Sequence, residues 1–237
     1  MISCRAVIEL TTIMLSGHSM VLDHTAKVLY IFAGQQEDRY LSDMYSYDIR
    51  TGIACEIFNN FSTSGGPEAC FTPRAVIDPT VKEIYVISGL TKTKVLDHVS
   101  SQIQSSRAVL KDRMHNWVYK YDTQPGKWTE ISKAPEKPVN QRPMPRFAHQ
   151  VVFNPKTKAM YMHGGNGGEL NKDGVKDGTK GRLDDFWRME LRRYSFFIFA
   201  GPNTFRLLFI RSKPEEIIRQ CKFAILQQQY VPPALSS

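Results

Sequence analysis

MVLDHTAKVLYIFAG (Met20–Gly34), AVIDPTVKEIYVISG (Ala75–Gly89) and VVFNPKTKAMYMHGG (Val151–Gly165) superpose without a gap when aligned on their final glycines. Four residues before Gly34, Gly89 and Gly165 stand Tyr30, Tyr85 and Tyr161; seven before stand Lys27, Lys82 and Lys158; eleven before stand Asp23, Asp78 and Asn154. His18 and His149 both lie sixteen residues before their glycines, where the middle copy has Pro73. Coincidence at so many positions over two apolar runs marks an internal repeat. In each copy the two β-prone runs surround an Asp/Asn-centred turn, with Pro79 and Pro155 placed where φ already suits the turn, so each copy reads as a hairpin. The nearly continuous apolar character of VLYIFA and EIYVIS predicts strands covered on both faces, as in sheets stacked on sheets.

A second pair of strands follows each glycine. LSDMYSYDIR (Leu41–Arg50) and WVYKYDTQPGKW (Trp117–Trp128) share a Tyr-x-Tyr-Asp core, and LDDFWRMEL (Leu183–Leu191) is a more divergent third copy. After the first two cores come glycine turns at Gly52 and Gly126, and then short outer strands such as CEIF and WTEI. Four strands per unit is the count of a β-propeller blade. Gly34 and Gly89 lie 55 residues apart, and Gly89 and Gly165 lie 76 apart, against about 50 for a kelch repeat. The excess falls in the polar, basic stretch Thr91–Asn116 and in KAPEKPVNQRPMPR (Lys133–Arg146), both expected as long loops between strands, where partners dock.

Composition narrows the function classes. The 237 residues are 42% hydrophobic and 11% aromatic, with 13 Pro and 15 Gly spread along the chain, a profile of a turn-rich β protein with enough length for a core. The net charge of +8 is scattered; only Arg188–Lys222 is locally rich, with eight basic against three acidic residues, and no aromatic-interleaved RNA motif accompanies it. No nucleic-acid partner is expected. Cys4, Cys55, Cys70 and Cys221 form no CxxC pair and have no histidine at ligand spacing, so reduced, mostly buried thiols are expected and no metal site. Arg5 and Glu9 interrupt the apolar start, which does not fit a secretory signal.

The chemistry-bearing residues each have a structural reading beside a functional one. His149 is the first catalytic suspect, but its counterpart His18 at the same repeat position argues for architecture, such as hydrogen bonding between units. His163 before Gly164-Gly165 resembles an oxyanion-hole HGG, yet the chain has no G-x-S-x-G elbow. The glycine-rich Gly164–Gly181 fits neither a phosphate loop nor an EF-hand. No catalytic, cofactor-binding or metal residue is therefore expected, and the chain reads as a non-enzyme. Arg74 and Arg146, at the entry of a unit's first strand, are the candidate protein-contact residues, with a structural role as the leading reading for each.

Beyond the glycine and tyrosine pattern of kelch repeats, the strings SGHSMVLDHTAKVLYIFAGQ, YLSDMYSYDI, TPRAVIDPTVKEIYVISGL, PRFAHQVVFN, GGN and RLDDFW resemble the propeller of the muskelin family. The likeness covers roughly 16–191 and resumes at SKPEEIIRQCKFAILQQQY (Ser212–Tyr230). It implies an all-β fold of about three kelch-type blades, an incomplete ring, followed by a short C-terminal α-helix. The expected organisation is 1–17 as the end of a preceding blade or an aberrant start, blades at 18–58, 69–131 (with the inserted loop) and 146–191, an apolar insert at 192–211, and the helix at 212–230. The helix reading rests on capping-box spacing of Ser212 and Glu215, Pro214 in the first turn, and a shared face of Ile217, Cys221, Ala224 and Ile225. In the family pattern the propeller passes almost directly into this helix, so Tyr194–Arg211, interrupted by Gly201-Pro202 and Arg206 and shorter than the roughly 20 residues of a membrane span, reads as an insertion. No membrane span is expected.

The resemblance implies an intracellular scaffold without cofactors, in the cytoplasm and also the nucleus. Its members carry discoidin-like, LisH and CTLH segments before the propeller. They act in cell spreading and recruit substrates to a CTLH-type ubiquitin ligase complex. The implied partners are ligase-complex subunits and recruited substrates, with an oligomer expected for the full-length family member. A kelch-type actin-binding module and, more remotely, a kelch-fold copper oxidase are the alternatives; the latter needs a Tyr–Cys pair with Tyr and His ligands, company that Cys55 and Cys70 lack in the sequence.

Overall fold

A computed structural model describes residues 16–97, 107–132, 143–168, 181–194 and 204–211. The described chain is built mainly of antiparallel β-strands, with one short 3-10 turn at Phe61–Ser64. Three four-stranded meanders follow one another. The first sheet is β1 (Ser19–Asp23), β2 (Val28–Phe32), β5 (Met44–Asp48) and β6 (Ile53–Phe58), in that order; β3 (Gln35–Gln36) and β4 (Arg39–Tyr40) make a small ribbon beside it. The second is β8 (Arg74–Asp78), β9 (Glu83–Asp97), β10 (Arg107–Asp122) and β11 (Lys127–Ser132), with β7 (Cys70–Phe71) pairing with the middle of β9. The third is β12 (Gln150–Asn154), β13 (Ala159–His163), β14 (Phe186–Tyr194) and β15 (Thr204–Arg211).

The repeated sequence positions explain the hairpins. Asp23 Oδ1 accepts hydrogen bonds from the Thr25 and Ala26 amides (3.0 and 2.8 Å), and Asn154 Oδ1 does the same for Lys156 and Thr157 (3.0 and 3.3 Å). Asp78 holds the Thr80 amide at 3.1 Å. Each turn closes on a lysine in the left-handed region, at φ 61° for Lys27, 60° for Lys82 and 50° for Lys158. A carboxylate or amide that caps its own turn compensates for this conformation, which is uncommon for a residue with a Cβ. Gly165, at φ 96°, ends the second strand where a Cβ would stand 2.8 Å from the Phe147 carbonyl and from His149 Cβ, because the chain leading into β12 crosses over it.

First strands lie side by side: β1 packs along β8, and β8 along β12. Alternation along these strands sends successive side chains into opposite interfaces. Val21 enters the core between the first and second sheets, with Tyr30, Phe32, Met44, Ile84, Val86, Trp117, Tyr121 and Trp128, and Ala75 and Ile77 pack against that cluster from β8. Val76 enters the next core with Tyr85, Ile87, Met160, Met162, Trp187 and Met189, and Val151 and Phe153 pack against it from β12. The middle sheet is thus covered on both faces, and Glu83–Thr91 is buried without interruption. β2 of the first sheet has only Tyr30 and Phe32 fully buried, so two-sided burial holds for EIYVIS and not for VLYIFA.

Several expectations are corrected. Thr91–Asn116 is not simply a loop: β9 and β10 continue as a ribbon from Leu90↔Met114 to Asp97↔Arg107, and only 98–106 lie outside the described residues. The β-prone Thr91, Thr93 and Val95 alternate along TKTKV and suit a strand, a pattern masked in the sequence by Lys92 and Lys94. Within the 192–211 stretch, β15 pairs with β14 from Trp187↔Arg211 to Tyr194↔Thr204 and supplies the fourth strand of the third sheet. Cys55 is disulfide-bonded rather than reduced, whereas Cys70 is free and buried as expected; sequence spacing carries no information on which thiols meet in space. Segments 1–15 and 212–237, including the expected helix at 212–230, lie outside the described residues.

Candidate functional site

The starts of the first strands gather Arg74, Arg146 and His149. Of the two roles open to Arg146, contact and structural, its surroundings suit the structural one: its side chain is fully buried. Its guanidinium makes a bidentate pair with Asp185 (Nη1–Oδ1 2.5 Å, Nη2–Oδ2 2.7 Å), donates from Nη1 to the Gly164 carbonyl (2.9 Å) and from Nε to the Met144 carbonyl (3.1 Å). Such a fork uses most of the donors that an interface would need. Asp185 also accepts from Trp187 Nε1 at 2.6 Å, so one carboxylate ties the arginine to an aromatic of the core.

Around this pair the strings PRFAHQ, GGN and RLDDFW meet. Phe147 and Asn166 exchange backbone hydrogen bonds in both directions (3.0 and 2.9 Å), Leu183 N donates to Gly165 O (2.9 Å), Gly167 N donates to Gly181 O (2.8 Å), and Asn166 Oδ1 takes the Gly168 amide (2.8 Å). The three strings form one knot at the end of the third sheet. Asp185 and Trp187 stand inside RLDDFW but were not singled out in the sequence, because a partner 39 residues away leaves no local signal; Arg146 as an unpaired cation in a Pro-rich stretch was the available hint.

Arg74 is half-buried and bridges two sheets: its Nε donates to the His149 carbonyl at 2.7 Å. Ser19, at the same repeat position in the first sheet, donates from Oγ to the Pro73 carbonyl at 2.6 Å. His149 is completely buried, and neither ring nitrogen has a hydrogen-bond partner among the described residues. Burial first, then the Arg146 and Arg74 charges, push its pKa down to about 3, so the ring is neutral at physiological pH. The expected bond between units therefore exists through the backbone of His149 and not through its imidazole. His18 Nδ1 is likewise without a partner among the described residues. The exposed His163 stacks on Phe186. A general base needs reach to a substrate proton, and the buried ring of His149 does not have it.

The repeat lysines form a second set of bridges. Lys82 Nζ donates to Asp23 Oδ2 of the preceding sheet (2.8 Å), and Lys158 Nζ to Asp78 Oδ2 of its preceding sheet (2.5 Å). Burial pushes both carboxyls up, but the lysine and turn hydrogen bonds outweigh it and hold Asp23 and Asp78 below the usual carboxylate value. The buried Glu83 and Lys120 and the half-buried Asp122 make a third group on the middle sheet, with Lys120 Nζ at 3.1 and 3.0 Å from the two carboxylates and Tyr85 donating to Glu83. Tyr30 and Tyr161 occupy the centres of β2 and β13 and Tyr85 stands near the start of the longer β9; Tyr30 and Tyr85 are buried.

Burial pushes the Cys70 thiol pKa up, so it is not poised as a thiolate. Among the described residues no three His, Cys, Asp or Glu side chains are grouped to hold a metal, and no helix is long and apolar enough to cross a membrane. The arrangement packs three sheets against one another across two shared cores and ties neighbours together by the Arg74, Lys82 and Lys158 bridges. No protein-family model matches the chain.

Proposed function

We propose that this chain is a non-catalytic protein-interaction scaffold made of three kelch-type β-propeller blades of the muskelin kind. The observation that carries this reading is the knot in which Arg146, Asn166 and Asp185 join PRFAHQ, GGN and RLDDFW, the strings that carry the family resemblance. The adjacency of first strands supports the propeller reading, since blades meet around an axis by their inner strands. In this reading the chain serves a CTLH-type ubiquitin ligase complex in the cytoplasm and nucleus, holding a recruited substrate or a complex subunit, and contributes to cell spreading. With Arg146 internal, the β9–β10 ribbon and Arg74 are the better contact candidates.

Affinity capture with the full chain from cytosol tests this directly. Recovery of ligase-complex subunits without actin is the expected result. Recovery of actin alone favours an actin-binding module, and one equivalent of copper by elemental analysis favours the oxidase.

A further inference from the structure

Each sheet meets the next by the same three contacts. A side chain at the first position of the first strand reaches a carbonyl on the following sheet, as Ser19 to Pro73 and Arg74 to His149. The middle apolar residue of the strand, Val21 or Val76, enters the core shared with the following sheet, against its Ala75 and Ile77 or its Val151 and Phe153. A lysine of the following sheet returns to the turn acid, as Lys82 to Asp23 and Lys158 to Asp78.

On the third sheet the outgoing half of this set is open. Gln150 is exposed, Val152 is 61% exposed although Val21 and Val76 are buried, and Asn154 holds the turn-acid position. On the first sheet the incoming half is open. Met20 and Leu22, the counterparts of Ala75 and Ile77, are 57% and 42% exposed, and the exposed Lys27 makes no side-chain salt bridge among the described residues. Open apolar faces of this kind mark association surfaces.

We infer that a second copy of this chain covers both faces, the outgoing face of each copy docking on the incoming face of the other to close a ring of six sheets. This rests on the propeller reading for closure. The occupant follows from the repeat itself: the two faces are the two halves of an interface that the chain already builds twice internally. Six sheets also fall within the four to eight that close around an axis. In the assembled ring Gln150 reaches the second copy's His18 carbonyl, Val152 lies against its Met20 and Leu22, and its Lys27 approaches Asn154. The contact is heterologous and closes only because it occurs twice.

Sedimentation of the full chain is the test. The expected result is twice 27.1 kDa. Met20→Glu/Leu22→Glu on one face and Val152→Glu on the other each give a monomer or weaken the dimer by on the order of tenfold or more, with an unchanged circular dichroism spectrum because all three side chains are exposed. Mixing the two variants yields a heterodimer, since one intact pair of faces remains. Asn154→Asp restores the carboxylate present at Asp23 and Asp78 and tightens the dimer on the order of threefold to tenfold, a gain that Lys27→Met removes. A wild-type monomer at about 100 µM, far above the Kd of a specific stable interface, overturns the proposal. So does a dimer indifferent to Val152→Glu, as in an isologous pairing of β1 edges, and so does an open filament. Solution scattering from the monomeric variant separates this outcome from failure of the propeller reading: an arc of three sheets keeps that reading while the dimer fails, and a flat two-layer sandwich removes both.

Discussion

Arg146 and His149 are three residues apart and show how burial assigns opposite roles to two polar side chains. The arginine is desolvated but has a bidentate carboxylate and two carbonyls as partners, so its charge is compensated. Arg146→Met strands the Asp185 carboxylate near the core and is expected to cost about 3–5 kcal/mol, read as a lowered urea midpoint; adding Asp185→Asn recovers part of the loss. The neighbouring imidazole has no such compensation and stays neutral. Its folded pKa of about 3 lies below the unfolded value of 6.5, so the unfolded chain binds the extra proton and stability falls as pH drops through 6.5 towards 3. The term amounts to several kcal/mol at its acid limit. His149→Leu is expected to flatten that part of the stability curve while leaving stability at pH 7 unchanged or raised, as followed by urea melts at successive pH values.

At the level of elements, the hairpins combine two turn devices with unequal tolerance. Gly165 has both a positive φ and backbone within 2.8 Å of where a Cβ would sit, whereas Gly52, at φ 71°, has nothing nearer than Tyr47 Oη at 3.8 Å. Gly165→Ala is therefore expected to cost about 2–4 kcal/mol, from conformational strain plus displacement of the crossing chain. Gly52→Ala should cost only about 1 kcal/mol. Thermal melts of the two variants side by side check the contrast. Removing 204–211 would leave β14 as a bare edge next to the buried Trp187 and Met189, and unprotected edges invite pairing with other chains.

Across the whole molecule the Lys–Asp bridges couple one sheet to the next. Asp23 and Asp78 are held below their unfolded value of 3.8, so their contribution is complete above that pH and is lost as pH falls through the lower folded values. Lys82→Met removes the hydrogen bond that lowers Asp23. Acid unfolding of this variant is expected to begin at higher pH than in the wild type, with a coupling of about 1 kcal/mol to Asp23→Asn in a double-mutant cycle at pH 7.

The repeat, its hairpins and the four-strand count were legible because they depend on local rules: period-two burial, turn chemistry and the positions of Asp23, Lys27 and Gly34 and their counterparts. Even the lysine bridges were readable in principle, since both partners recur at fixed places. Arg146–Asp185, the disulfide at Cys55, the ribbon within Thr91–Asn116 and the strand at Thr204–Arg211 were not, because each depends on which distant segments meet. The exposure of Met20 and Val152 is of the same kind. Their counterparts in the other sheets are covered, and only the stacking of three sheets decides which copies of one sequence position face a neighbour and which face outward.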